Sequence, residues 1–367
     1  MRSLSKRLLP PSLAAGLALA AASPARAAFW DDWQAMREIV PRHYVCHRAS
    51  APVTVDGKLD DAAWQNAPWT EDFVDIEGAK KPVPRFRTRA KLLWDDQYLY
   101  IAAELEEPDL WATLTKHDSV IFNDPDFEIF IDPNGDSLEY YEFEMNALNT
   151  SWDLLLKKPY KDGGPPVDGW DIAGLKTGVQ VHGTLNHPGD KDEGWTIEVA
   201  FPWKALAEYA GTPAPPRPGD QWRLGFSRVE WDIKVEDGRY VKIPGRPEHN
   251  WIWSPQGIID MHRPEQWGYL QFSDRETAPD KFVPDPAWPA KRALQAVYYA
   301  QKDFFAANHR WARDLGELAA KTGYKSEPAA VRLALDAEGF TASATAPGPD
   351  GTAKTWHIRQ DSRVWSD

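Results

Sequence analysis

From Tyr44 to Phe272 the chain reads as a train of short runs with strand character, each stopped by Gly, Pro, Asp or Asn. Tyr98-Leu99-Tyr100-Ile101-Ala102-Ala103 follows an Asp95-Asp96 turn. Phe127 to Asp132 ends at Pro133-Asn134-Gly135-Asp136, and Tyr140 to Asn146 begins just after it. Trp195 to Phe201 and Trp222 to Val229 continue the series. Runs of this length cannot bury a core alone, and the turn residues between them return the chain on itself. The pattern predicts a mainly β protein built on an antiparallel β-sandwich. Helical pieces are short, at Asp60–Trp64 and Pro202–Tyr209, and no strand–helix alternation of a parallel α/β fold is present.

The ends of the chain differ from this middle. Arg2, Lys6 and Arg7 precede an apolar stretch from Leu8 to about Ala22, and Ala25-Arg26-Ala27 follows as a small-x-small cleavage site. These features predict a signal peptide over 1–27 and a periplasmic or secreted protein. The stretch is broken by Pro10 and Pro11 and falls short of the roughly 20 residues that span a bilayer, so a retained anchor is the weaker alternative. A helical arm is expected over 28–43, where Trp30, Trp33 and Met36 recur at helical spacing, then the sandwich over 44–274. A Pro-rich linker, 275–289, leads to a C-terminal α+β module, 290–367. In that module an apolar helical stripe from Ala293 to Phe305 precedes strand candidates at Ala330–Asp336, Phe340–Ala346 and Thr355–Gln360. One helix laid on a small β-meander is expected, serving to pack or to dock a protein partner.

Composition narrows the partners. The net charge is −13 and becomes more negative if Arg2, Lys6, Arg7 and Arg26 leave with the leader. Such a surface disfavours nucleic acid and anionic lipid. Cys46 stands alone, so no disulfide within the chain supports the fold. The 19 tryptophans suit either a large core or platforms for the C–H faces of sugar rings. Trp64 suits the core beside its short helix, Trp94 suits core packing better than ligand cover, and Trp152 fits a ligand platform or sheet packing equally well.

Strand alternation marks one face. If Phe127, Ile129 and Ile131 point inward, then Asp126, Glu128, Phe130 and Asp132 point to the other side. Tyr141, Phe143 and Met145 inward likewise leave Tyr140, Glu142, Glu144 and Asn146 on that same side. Carboxylates and amides in such a row can bind sugar hydroxyls, although a solvated acidic face has the same pattern. Asp124, Asp126 and Asp132 are hard oxygen ligands that would suit calcium, without EF-hand spacing.

Four segments resemble family 9 carbohydrate-binding modules over roughly 44–273. They are Val55 to Trp64, Leu93 to Ile101, Asp124 to Pro133 and Pro264 to Gly268. The resemblance implies a β-sandwich that holds a sugar between two aromatic side chains and carries structural calcium. Carried onto this sequence, it places the clamps at Phe122 and Trp253, a bonding carboxylate at Glu128, and amides at Asn146 and Asn250. Two departures stand out: Phe122 takes the place of a tryptophan, and Glu144 that of a cation.

Three functional readings follow: an exported carbohydrate-binding protein engaged in glycan capture or degradation, an exported glycoside hydrolase, and an interaction scaffold without a sugar site. Hydrolysis needs two carboxyl groups flanking the bond, for which Glu128, Glu142 and Glu144 are the candidates. No HExxH or GxSxG motif or phosphate-binding glycine loop is present.

Overall fold

The computed structural model describes residues 29–276, 280–325, 329–348 and 350–367. The predicted signal peptide lies outside the described residues. Among the described residues no helix is long and apolar enough to cross a membrane.

The main sheet is laid down by eleven principal strands. These are β1 (His43–Arg48), β2 (Thr88–Trp94), β3 (Tyr98–Glu106), β4 (Asp126–Asp132) and β5 (Tyr140–Asn146). They continue with β6 (Ser151–Leu156), β7 (Lys176–His182), β8 (Gly194–Pro202), β9 (Gln221–Glu230), β10 (His249–Ile252) and β11 (Gly268–Phe272). One half runs β6–β5–β4–β9 antiparallel. The first half of β9 then pairs with β11 and its last residues pair with β10. The other half runs β2–β3–β8–β7, also antiparallel.

The two halves meet at β1, and here the all-antiparallel expectation needs correcting. Residues His43–Cys46 pair in parallel with β11, while His47 and Arg48 pair in parallel with β2. The strand changes partner midway, so the sheet is mixed and curls over itself. Tyr44 and Cys46 are buried in the core enclosed by the curl.

That core is aromatic and continuous. Phe127, Ile129 and Ile131 of β4 and Tyr141, Phe143 and Met145 of β5 all point into it, as alternation predicts. Facing them are Leu92, Ile101, Ile197, Val199 and Phe201 from the other half. The β4–β5 turn is fixed by Asp132, whose carboxylate accepts the Gly135 N–H at 2.8 Å and the Ser137 N–H at 2.9 Å. Gly135 supplies the positive φ of 66° that the turn requires.

The opposite face of the β4–β5 hairpin is not open to water. Phe130, Tyr140, Leu154 and Leu156 form a second apolar layer with Ile252, Met261 and Trp267. Trp267 lies 5.0 Å from the Tyr140 ring and 5.5 Å from the Phe130 ring, and its indole N–H donates to the Met261 carbonyl at 2.8 Å. Every residue of β4 and β5 is therefore buried.

The N-terminal arm and the C-terminal module are one unit. Helix α1 (Phe29–Met36) packs Trp30, Trp33 and Met36 into the same core as α2 (Trp288–Asn308), and Trp33 stacks on Tyr299 at 5.5 Å. Behind α2 lies a four-stranded antiparallel sheet of β12 (Val331–Leu335), β13 (Phe340–Pro347), β14 (Ala353–Arg359) and β15 (Val364–Ser366). Helix α3 (Leu315–Thr322), absent from the expected helix-plus-meander, completes it, with Asp314 capping the Glu317 N–H at 2.8 Å. The Pro-rich stretch before α2 is pinned to the sandwich edge. Val283 N–H donates to Gln271 at 2.8 Å, and Phe282 stacks on His43 at 4.1 Å.

Trp253 follows β10 and is completely buried beside Phe226. Gly268 leaves the room for it, since a Cβ there would stand 2.4 Å from the indole ring. Trp253→Ala is expected to destabilise the fold by about 3–5 kcal/mol. Gly268→Ala should cost about 1–3 kcal/mol through overpacking. Urea unfolding followed by tryptophan fluorescence measures both, and wild-type midpoints would contradict this packing.

Candidate functional site

Strand register builds the site. Glu128 of β4 lies directly opposite Glu144 of β5, which lies opposite Trp152 of β6. One step along, Phe130, Glu142 and Leu154 form the next row. Cross-strand neighbours stand close together on one sheet face, so Glu128, Glu142 and Glu144 crowd the floor of a single cavity of about 280 Å³. Its walls come from elsewhere in the chain: Phe122, Tyr160, Asn250 and the segment Ile259–His262.

The floor carboxyls are buried, with Glu128 at 5 % exposure and Glu144 at 2 %. Burial pushes the Glu128 carboxyl up to about 7, and the neighbouring Glu248 adds to the shift. Glu144 is held well above the ordinary carboxylate range by burial, and then by repulsion from Glu128, Asp126 and Glu142. Burial, followed by Glu128, does the same to Glu142 and Asp126. Carboxylate oxygens of Asp126, Glu128 and Glu144 all lie within 4.8 Å of one another. Like charges at that separation cannot all ionise in a desolvated site, so the cluster holds protons at neutral pH. His262 is pressed down to about 4 by burial, so it stays neutral, and its Nδ1 shares a 2.9 Å hydrogen bond with the Tyr140 hydroxyl.

Of the residues expected to bind sugar, Phe122, Glu128, Glu144, Trp152 and Asn250 meet in this cavity. Trp253 does not. It belongs to the inner core, donating its indole N–H to Glu71 at 3.2 Å, because strand alternation turns it away from Asn250. Asn146 is also structural. Its amide N–H donates to the Leu114 carbonyl at 2.9 Å and to Asp124 at 3.0 Å, and its oxygen accepts the N–H groups of Leu148 and Thr150. Glu144 does more than line the floor: it accepts the Phe122 N–H at 3.0 Å and so fixes the turn that presents the Phe122 ring.

The expected calcium set of Asp124, Asp126 and Asp132 is not assembled. Asp124 is taken up by the Thr113 N–H at 2.7 Å, the Thr113 hydroxyl at 2.8 Å, the Leu114 N–H at 2.8 Å and Asn146. Asp132 closes its turn at the far end of β4, roughly 20 Å from Asp126 at the rise of a strand. Calcium takes 6–8 oxygen ligands, and these three residues do not fit it.

Tyr160 was not legible from sequence as a site residue. It sits in a one-turn helix, Tyr160–Asp162, outside any strand period, is 44 % exposed, and meets the His262 ring edge-on at 4.4 Å. His262 comes from a segment distant in sequence with no motif around it. Glu142, which alternation places on the same face as Glu144, joins them in the cavity.

Comparison with known proteins gives a consistent match. Residues 55–250 match the family described as carbohydrate family 9 binding domain-like. An endo-1,4-beta-xylanase A of Thermoanaerobacterium saccharolyticum is 25 % identical over 158 residues, 43 % of this chain and 11 % of the relative. An endo-1,4-beta-xylanase A of Thermotoga maritima is 27 % identical over 223 residues, 59 % of this chain and 16 % of the relative. The chain thus spans only a small part of the length of these curated relatives. A family 9 carbohydrate-binding module from Caldicellulosiruptor kristjanssonii, solved in complex with cellotriose, aligns with a TM-score of 0.43 at 20 % identity, covering 66 % of this chain and 98 % of that one.

Two buried carboxyls, Glu128 in the cluster and Asp132 in the turn, set a pH dependence. Glu128 moves from 4.5 to about 7 on folding and Asp132 from 3.8 to about 7, so the native state holds more protons than the unfolded chain between those values. Stability is then fully present below pH 4 and is lost as pH rises through 7. The melting temperature should be higher at pH 5 than at pH 8. Glu128→Gln, which keeps the neutral shape, should flatten part of that slope in a thermal-melt series. An unchanged slope would show that Glu128 is ionised in the native state.

Proposed function

This chain belongs to the carbohydrate family 9 binding domain-like family, and from that premise we propose that it holds a neutral sugar in the cavity above Glu128 and Glu144 without cleaving it. The observation that carries this reading is the meeting of aromatic faces and hydroxyl-binding groups in one small space. Phe122, at 36 % exposure, Tyr160 and Trp152 offer ring surfaces, while Glu128, Glu142 and Asn250 offer polar atoms between them. The volume of about 280 Å³ lies just below the roughly 300–1,000 Å³ usual for small-molecule sites, which suits one ring at a chain end. Protonated carboxyls can donate to sugar oxygens, and ionised ones accept from hydroxyls, so a floor sharing protons serves both sides of a polyol. The same acids repel uronates and phosphosugars. The xylanase relatives lend support to a plant-wall type of glycan.

Hydrolysis is disfavoured by the arrangement of the same acids. Glu128 and Glu144 are neighbours on one sheet face, so both approach a bound sugar from the same side. A glycosidase acid pair flanks the bond. An extracytoplasmic location is part of the proposal, supported by the basic start, apolar stretch and Ala25-Arg26-Ala27 site.

A glycan array with calorimetric follow-up tests the reading. Saturable binding of a neutral sugar without release of reducing ends is the expected result. Phe122→Ala and Tyr160→Ala should each weaken it about tenfold, or ~1.4 kcal/mol, with the melting temperature preserved because both rings are exposed. Released sugar would select the hydrolase, and binding unaffected by either change would move the site elsewhere.

A further inference from the structure

A larger cavity, about 880 Å³, lies between the sandwich and the C-terminal module. One wall is Arg223 of β9 and Tyr269 of β11, and the other is Trp288 and Lys291 of α2 with Lys354 and Trp356 of β14. Its chemistry is the opposite of the first cavity's. The Arg223 guanidinium lies over the Tyr269 ring at 4.0 Å and donates to the Glu265 carbonyl at 2.8 Å, a neutral partner. Lys291 stands over Trp356 at 4.1 Å while pairing with Asp285 at 2.8 Å. The other acids of the wall are engaged elsewhere. Glu265 pairs with Lys161 at 2.9 Å, and Asp220 accepts the Arg217 N–H at 2.8 Å within its own turn.

A protein of net charge −13 thus keeps a cationic, aromatic-lined chamber at the seam of its two units. Arg223 is held in place by a ring and a carbonyl, and Lys291 by a ring and Asp285, so little ordering of these two remains to be done on binding. We propose that this chamber is a second site and takes a carboxylate-bearing sugar. The ring would stack on Trp288 or Trp356, and the carboxylate would meet Arg223 and Lys354. Its volume admits more than one sugar ring. Because both units contribute to the wall, the C-terminal module is part of a binding site as well as a packing unit. The inference goes beyond the neutral-sugar site and does not depend on it.

Calorimetry on the full chain at constant ionic strength, with methyl glucuronide, methyl glucoside and acetate as probes, tests this. The glucuronide should bind saturably. Lys354→Gln, at a half-buried side chain, should weaken it about tenfold, the scale of one charge-assisted hydrogen bond. Trp356→Ala should weaken it as well, and Phe122→Ala should leave it unchanged. No glucuronide binding overturns the proposal, as does binding lost in Phe122→Ala yet kept in Lys354→Gln. Acetate binding as tight as the glucuronide overturns the sugar assignment, and glucoside binding that is as tight and is weakened by Lys354→Gln overturns the charge assignment. Melting curves of Lys354→Gln and Trp356→Ala separate lost affinity from lost fold.

Discussion

The β4–β5 hairpin is packed on both of its faces, and the first site depends on that constraint. On one side Phe127, Ile129, Ile131 and Phe143 fill the sandwich core. On the other, Trp267 and Met261 cover Phe130 and Tyr140. A half-buried antiparallel strand would have left Glu128, Glu142 and Glu144 in water, with ordinary acidity and no enclosing walls. Covered as they are, they lose solvation, hold protons and become the floor of a cavity. The apolar layer thus shapes the site and sets the electrostatics of its carboxyls together.

The same logic governs the polar seam between the sandwich and the terminal unit. Lys161, Glu265, Arg263 and Asp32 meet there with Tyr299, whose hydroxyl donates to Glu265. Burial alone would raise a carboxyl, yet Glu265 is held below its ordinary value by Lys161 and Arg263. Buried ionic groups of this kind contribute little net stability over apolar contacts, but removal of one partner strands the other. They fix how the terminal unit sits on the sheet. Lys302 and Tyr298 reach Asp162, two residues from Tyr160, at 2.9 and 2.6 Å. The helix of the terminal unit therefore braces the turn that carries an aromatic wall of the sugar cavity.

Much of the fold was legible before any coordinates. The runs at Tyr98, Phe127, Tyr140, Trp195 and Trp222 became β3, β4, β5, β8 and β9, because their period of two and their turn residues act locally. Pro133 to Asp136 was readable as a turn, and Asp132 just before it proved to be the lock on that turn. The site was legible as far as strand alternation reaches: Glu128, Glu144 and Trp152 share a face because residues on paired strands must. It failed where placement depended on a loop or on a single strand's facing. Trp253 has the residue type of a sugar platform, but one position of alternation separates a platform from a core residue, and Gly268 had already made space for it inside.

What the sequence determined by itself was the β-rich class, the paired rows of the hairpin and the acidic character of its polar face, all consequences of short-range geometry. The tertiary structure decided the rest. It curled the sheet at β1 through a change of parallel partners. It joined α1 to a module more than 250 residues away, and it brought Tyr160 and His262 over the carboxyl row. It also enclosed a cationic chamber between two units, each of which reads as unremarkable alone. Burial decides both acidity and access, and burial belongs to the packed whole, where segments distant in sequence remove one another from water.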